Sequence, residues 1–140
     1  MHQRALFGLC LFLLLCPATA SHAAEDKQNS TAVVEGFLRE VWQGKNPEAV
    51  DKYVIDDFVI STGGKDIRSR EAFKLWVAEF QSKISDMKLE IIETIANADG
   101  SRVVTRLRLT GRNNGMFDLP KDQKPFVLTA TAVWAVNTNG

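Results

Sequence analysis

The sequence predicts a small α+β domain in which three helices precede an antiparallel sheet. Three observations carry this expectation. Apolar residues recur at three- and four-residue spacing in two stretches, first Val33, Val34, Phe37, Leu38, Val41 and Trp42, then Phe73, Trp76, Val77, Phe80 and Ile84. That period lines one face of a helix. Apolar and polar residues then alternate from Met87 to Ala96, Arg102 to Thr110 and Lys124 to Val136, the period of two that a half-buried strand shows. The first two of these runs meet at Asn97-Ala98-Asp99-Gly100, where Asp-Gly supplies the positive φ of a hairpin turn.

The chain opens on a segment of another kind. Met1 to Ala24 has Arg4 in a short start, an apolar run of twelve residues from Ala5 to Cys16, then Pro17 and small residues, the pattern of a cleavable secretory leader. The run falls short of the ~20 residues that span a bilayer. Ala18-Thr19-Ala20 and Ser21-His22-Ala23 both offer small residues to a signal peptidase. The mature protein is therefore expected to start near Ser21 or Ala24, in a secreted or periplasmic compartment. Leu15 before Cys16 departs from a lipoprotein signal, which needs a small residue there.

A single domain over residues 30–140 remains. Once Arg4 is removed with the leader, the exported chain carries sixteen basic against seventeen acidic residues, interspersed along its length. Neither nucleic acid nor, once the leader is gone, a membrane surface finds a basic footprint here. Both histidines and both cysteines, His2, His22, Cys10 and Cys16, lie within the first 22 residues. The exported domain then has no disulfide, and roughly 115 residues must hold together by burying about two-thirds of their unfolded surface. Without imidazole or thiolate, and with no Gly-rich phosphate loop or nucleophile elbow, no metal and no cofactor are expected.

The elements follow in order. Glu25 to Gln28 is a polar arm. The first helix runs from Ser30 to a stop at Gly44. Asn46 offers an N-cap side chain before Pro47, whose missing N–H costs nothing at the first helical position, so a short second helix reaches about Val54. Asp57 to Thr62, DFVIST, reads as a strand ending at Gly63-Gly64, and Ser69 caps the third helix. After Val136, Asn137 to Gly140 is a turn signal with no strand behind it. The domain is thus expected to lack its last strand in this chain, leaving the strand of Trp134 with an open edge.

Three segments carry a resemblance: FLREVWQGKNPEAVDKYVIDDFVI at Phe37 to Ile60, IRSREAFKLWVAEF at Ile67 to Phe80, and GRNNGMFDLPKDQKP at Gly111 to Pro125 followed by TATAVWAV. In order and spacing they resemble the SnoaL-like polyketide cyclase (ester cyclase) group of the nuclear transport factor 2-like superfamily. The resemblance implies an NTF2-like cone: three N-terminal helices packed on a strongly bent, mostly antiparallel sheet that encloses a largely apolar pocket, commonly in a homodimer. It also implies an acid/base carboxylate on the last strand, with histidines near the loop and first strand. The matching positions here are Asn113 and Ser61 or Thr62, and an amide or hydroxyl does not shuttle a proton at neutral pH. The steroid isomerase branch needs a carboxylate and a phenol where this chain has Thr62 and Phe37 or Leu38.

Candidate site residues follow. Asp56 and Asp57 point to opposite faces if the strand has begun, so a turn or capping role is expected. Asp57 at the pocket mouth is the one weak catalytic candidate. Arg106 and Arg108 share a strand face opposite Val103, Thr105, Leu107 and Leu109, and meet water or a partner if the aliphatic face packs on the helices. Tyr53, the only phenol, and Trp76 are expected in the core or pocket wall. The resemblance brings Asn113, Phe117, Leu119 and Trp134 near the pocket. The expected function is binding of a small apolar molecule, with cyclase-, isomerase- or lyase-type acid-base chemistry, or else a non-catalytic ligand-binding or dimerisation module.

Overall fold

The computed structural model describes residues 29–137, so the predicted leader and residues 138–140 lie outside it. Helix α1 covers 29–43, and its last part, Leu38–Gln43, widens into a π turn. Val34, Phe37, Leu38 and Val41 are buried along the predicted stripe, with Trp42 packed beside them. Gly44 ends the helix by close approach. Its N–H donates to the Arg39 carbonyl at 2.7 Å, five residues back, and a Cβ there would lie 2.5 Å from the Glu40 carbonyl oxygen.

Helix α2 begins as a 3-10 turn, Pro47–Ala49, and continues through Val50–Tyr53. Asn46 does not cap it with its side chain as the sequence suggested. In the tighter 3-10 start its backbone carbonyl accepts from the Ala49 N–H at 3.2 Å.

Strand β1 (Val59–Thr62) turns at Gly63-Gly64 into β2 (Lys65–Arg68), and the two pair antiparallel. The sequence reading missed β2, because Ile67 is the only apolar residue in KDIR. Helix α3 (Arg70–Ser82) is capped as predicted by Ser69, whose Oγ accepts from the Ala72 N–H at 3.3 Å. Phe73 and Val77 are its fully buried residues.

Three long strands complete the described chain: β3 (Ile84–Ala96), β4 (Arg102–Asn113) and β5 (Pro125–Ala135), antiparallel in that order. Ile84 continues the apolar stripe of α3 in sequence but belongs to β3, opposite Asn113. Register shifts between Ser85 and Lys88 and between Ile91 and Glu93 insert extra residues into β3, which bends a strand and sharpens its twist. The curved sheet therefore wraps the helices, as the fold class requires. Leu89, Leu109 and Leu128 stand opposite one another across it, as do Ile91, Leu107 and Ala130, then Thr94, Thr105 and Ala132, then Ala96, Val103 and Trp134. Val103, Thr105, Leu107 and Leu109 are buried while Arg106 and Arg108 are exposed, so this face packs on the helices. Among the described residues β1–β2 forms its own sheet, hydrogen-bonded to neither edge of the other.

Two apolar clusters fill the interior. The larger joins α1, α2, α3 and the far end of the sheet around Phe37, Leu38, Val41, Phe73 and Val103. The smaller gathers Ile84, Met87, Leu109 and Met116 at the loop end. Trp42 and Leu89 pack against both.

Candidate functional site

The interior between helices and sheet is an aromatic array. Phe37 meets Tyr53 edge-on at 6.0 Å and Trp134 at 5.3 Å, and stacks on Phe73 at 6.1 Å. Phe73 continues to Trp76, which touches Phe80 at 5.3 Å and Trp42 at 5.9 Å. Three residues singled out from the sequence, Tyr53, Trp76 and Trp134, thus belong to one packed assembly.

Their polar ends are already committed. The Tyr53 hydroxyl donates to Glu40 Oε1 at 2.5 Å. Burial first, and then the Glu40 carboxylate, push that phenol up, so it stays protonated at neutral pH. Lys52 holds the same Glu40 oxygen at 2.6 Å, and its bond, with that of Tyr53, keeps the carboxyl below its ordinary range. The Trp134 indole N–H donates to Thr105 Oγ1 at 2.9 Å.

Asn113, the last residue of β4, and Phe117 and Leu119, on the loop between β4 and β5, lie at the other end. Asn113 is buried and organises that loop. Its Nδ2 donates to the Pro120 carbonyl at 2.8 Å and to Asp122 Oδ1 at 3.0 Å, while its Oδ1 accepts from the Gly115 and Met116 N–H groups at 3.1 and 2.9 Å. An amide serves here because one end donates while the other accepts. Phe117 and Leu119 are 65% and 56% exposed. Asp57 sits exposed in the turn before β1, outside the strand. Its neighbour Asp56 pairs with the Arg70 guanidinium at the start of α3.

A cleft of about 430 Å³ opens at the seam between α1 and β3. Glu35, Arg39 and Gln43 form one wall, and Leu89, Glu90 and Ile91 form the other wall and floor. Leu89 and Ile91 belong to the inner sheet face and line the cleft together with four polar or charged residues. Its rim is ion-paired, with Arg39 on Glu35 at 3.2 Å and Arg108 on Glu90 at 3.1 Å. Gln43 Nε2 crosses the seam to the Leu89 carbonyl at 2.9 Å, pinning the π turn of α1 to the edge of β3. None of these six residues was singled out from the sequence. The signal present was the spacing of Glu35, Arg39 and Gln43, a polar stripe at four-residue intervals beside the apolar one. What faces that stripe is set by the bent register of β3.

Comparisons with known proteins agree with this architecture. The model of the family described as SnoaL-like polyketide cyclase matches residues 32–139. A structure assigned as a SnoaL-like polyketide cyclase from Jannaschia sp. CCS1 aligns with a TM-score of 0.71 at 14% identity, over 79% of this chain and 78% of that one. One assigned as a polyketide cyclase from Xanthomonas campestris pv. campestris aligns at 0.67 and 19% identity, over 80% and 84%. An LEH-like epoxide hydrolase from M. tuberculosis aligns at 0.62 and 18% identity, over 80% and 72%. No curated protein matches in sequence. At such identities the structural likeness shows the fold and leaves the chemistry to the site. With the family model matched over nearly all the described residues and a bent sheet wrapped on three helices, this chain belongs to the SnoaL-like polyketide cyclase family.

Proposed function

We propose that this domain binds a small, largely apolar molecule in the cleft between α1 and β3. The observation that carries the reading is the make-up of that cleft: an apolar floor of Leu89 and Ile91 beneath a rim of two ion pairs. Its volume falls within the ~300–1,000 Å³ of ordinary small-molecule sites. An apolar body rests on the floor, and a polar end meets the Arg39 guanidinium or the Gln43 amide. Export, argued from the leader, puts this binding outside the cytoplasm.

Binding is favoured over turnover. On the three strands the inner-face positions hold only Thr94, Thr105 and Asn113 as polar side chains, and none is an acid or base near neutrality. Acid-base chemistry of the cyclase, isomerase or lyase type is the second reading. Glu35 and Glu90 at the rim favour it, as do neighbours described as a polyketide cyclase and an epoxide hydrolase. It requires one of these carboxylates to leave its arginine.

Titration with 1-anilinonaphthalene-8-sulfonate, whose rings suit the floor and whose sulfonate suits Arg39, tests the binding reading. Saturable binding in the micromolar range is expected. Ile91→Lys, which sets a charge in the floor, should weaken it at least tenfold (over ~1.4 kcal/mol) while the fold survives by circular dichroism. Equal binding by the variant, or no saturation by the wild-type protein, sinks the proposal.

A further inference from the structure

One wall of the cleft between α1 and β3 holds a hydrogen-bond donor and an acceptor that the fold leaves unused. Arg39 and Gln43 stand one turn apart on α1, and both line that wall. Gln43 commits its Nε2 to the Leu89 carbonyl at 2.9 Å. That bond sets the plane of the side-chain amide and so the direction of Oε1, which accepts from nothing among the described residues. Arg39 is bonded through Nη1 alone, to Glu35 Oε2 at 3.2 Å. A guanidinium carries five N–H groups in a rigid fork, so most of this fork stays open.

The charges around the opening cancel. Glu35 pairs with Arg39, and Glu90 pairs with Arg108 at 3.1 Å. A carboxylate head would have to share Arg39 with Glu35, on a rim that also carries Glu90, and it has no hydrogen to give Gln43 Oε1. An ammonium head would meet Arg39 as a like charge and leave its fork without an acceptor. An ester offers an oxygen to Arg39 and nothing to Gln43. A neutral secondary amide serves both. Its oxygen accepts from Arg39 while its N–H donates to Gln43 Oε1. In a trans amide those two groups point away from each other, so the head lies along the wall between the two side chains. Gln43 then continues the chain to the Leu89 carbonyl, and hydrogen bonds linked in this way polarise one another. The attached hydrocarbon falls to Leu89 and Ile91 on the facing wall.

The geometry points to an amphiphile with a neutral secondary amide head and an aliphatic tail, in its simplest form an N-alkyl fatty amide, as the ligand class of this cleft. The inference rests on the binding reading above and narrows it. The apolar floor sets the tail, the neutral rim disfavours an ionic head, and the oriented Gln43 oxygen separates an amide from an ester of the same shape.

Displacement of 1-anilinonaphthalene-8-sulfonate from the full chain by four probes with one chain length tests it: N-methyloctanamide, methyl octanoate, octanoate and octylammonium. The amide should bind at least tenfold more tightly than each of the others. The ester is the more apolar of the first two, so partition alone would reverse that order. Gln43→Met keeps the length of the side chain and removes its amide. It should abolish the advantage of the amide over the ester while leaving ester affinity within twofold, a control that reads whether the cleft itself survives. An ester bound as tightly as the amide, an ionic probe bound more tightly, an advantage that persists in Gln43→Met, or a parallel loss of ester binding in that variant overturns the assignment. The two readings fail separately. Saturable dye binding with no preference for the amide removes the ligand class alone, whereas absence of saturation by the dye and by every probe removes the binding reading with it.

Discussion

Asp122 shows how much one exposed carboxylate does. Its Oδ1 accepts from the Lys124 N–H at 3.1 Å and from Asn113 Nδ2 at 3.0 Å, and its Oδ2 meets Lys124 Nζ at 3.1 Å. The Lys124 N–H first, then the Asn113 amide and the Lys124 ammonium, hold its pKa down to about 2. A carboxylate lowered in the folded state adds stability above its unfolded pKa of ~3.9 and loses it as pH falls through the folded value. The loop from Asn113 to Lys124 should therefore loosen between about pH 4 and about 2. Urea unfolding across that window should show a steeper acid slope for the wild type than for Asp122→Asn, and parallel slopes would refute this account. The sequence reading placed Asn113 near a pocket through a resemblance. Asn113 is buried, but both ends of its amide close the loop, a use that depends on Asp122 and Pro120 folding back nine and seven residues later. Spacing along the chain carries no trace of that return.

Among elements, the bent strand β3 depends on a glycine in its neighbour. Gly111 on β4 lies against the first register shift of β3, where Asp86 takes a left-handed φ of 52°. A Cβ at Gly111 would lie 2.5 Å from Ile84 Cγ2 and 2.9 Å from the Ser85 carbonyl oxygen. Neither neighbour can retreat cheaply, since Ile84 is buried in the smaller cluster and Ser85 is backbone. Gly111→Ala should cost about 1–3 kcal/mol by overpacking and lower the melting temperature by at least about 5 °C. A change under about 2 °C would mean that β3 shifts freely at its bulge. Elements whose residues carry their own period were legible: α1, α3, the β3–β4 hairpin and β5. The turn at Gly100 formed as read, with φ at +71°. The strand β2 and the π turn of α1 were not, because KDIR has a single apolar residue and the π turn is set by Gly44 N–H reaching five residues back and by Gln43 reaching β3. The cleft stayed hidden for the same reason, since its two walls meet only through tertiary register.

At the scale of the whole molecule, the described residues divide into parts of unequal support. Strands β3, β4 and β5 share an unbroken ladder whose centre, β4, is paired on both sides and buries Val103, Thr105, Leu107 and Leu109. The β1–β2 hairpin is hydrogen-bonded only within itself and four residues long on each strand. It is moored by Phe58, whose ring meets Phe73 at 4.9 Å and whose carbonyl accepts from the Ser69 N–H at 2.8 Å. Two short strands alone are marginal in water, so the hairpin is held by this mooring and by Ile60 and Ile67 against the larger cluster. Local opening follows such differences in buried contact. Amides of Ile60 and Ile67 should exchange at least a hundredfold faster than those of Thr105 and Leu107, and Phe58→Ala should widen that gap without changing exchange in β4. If both groups exchange at one rate, the hairpin and the long sheet open as a single unit, and the fold is held by the aromatic array across Phe37 and Phe73 more tightly than by its ladders.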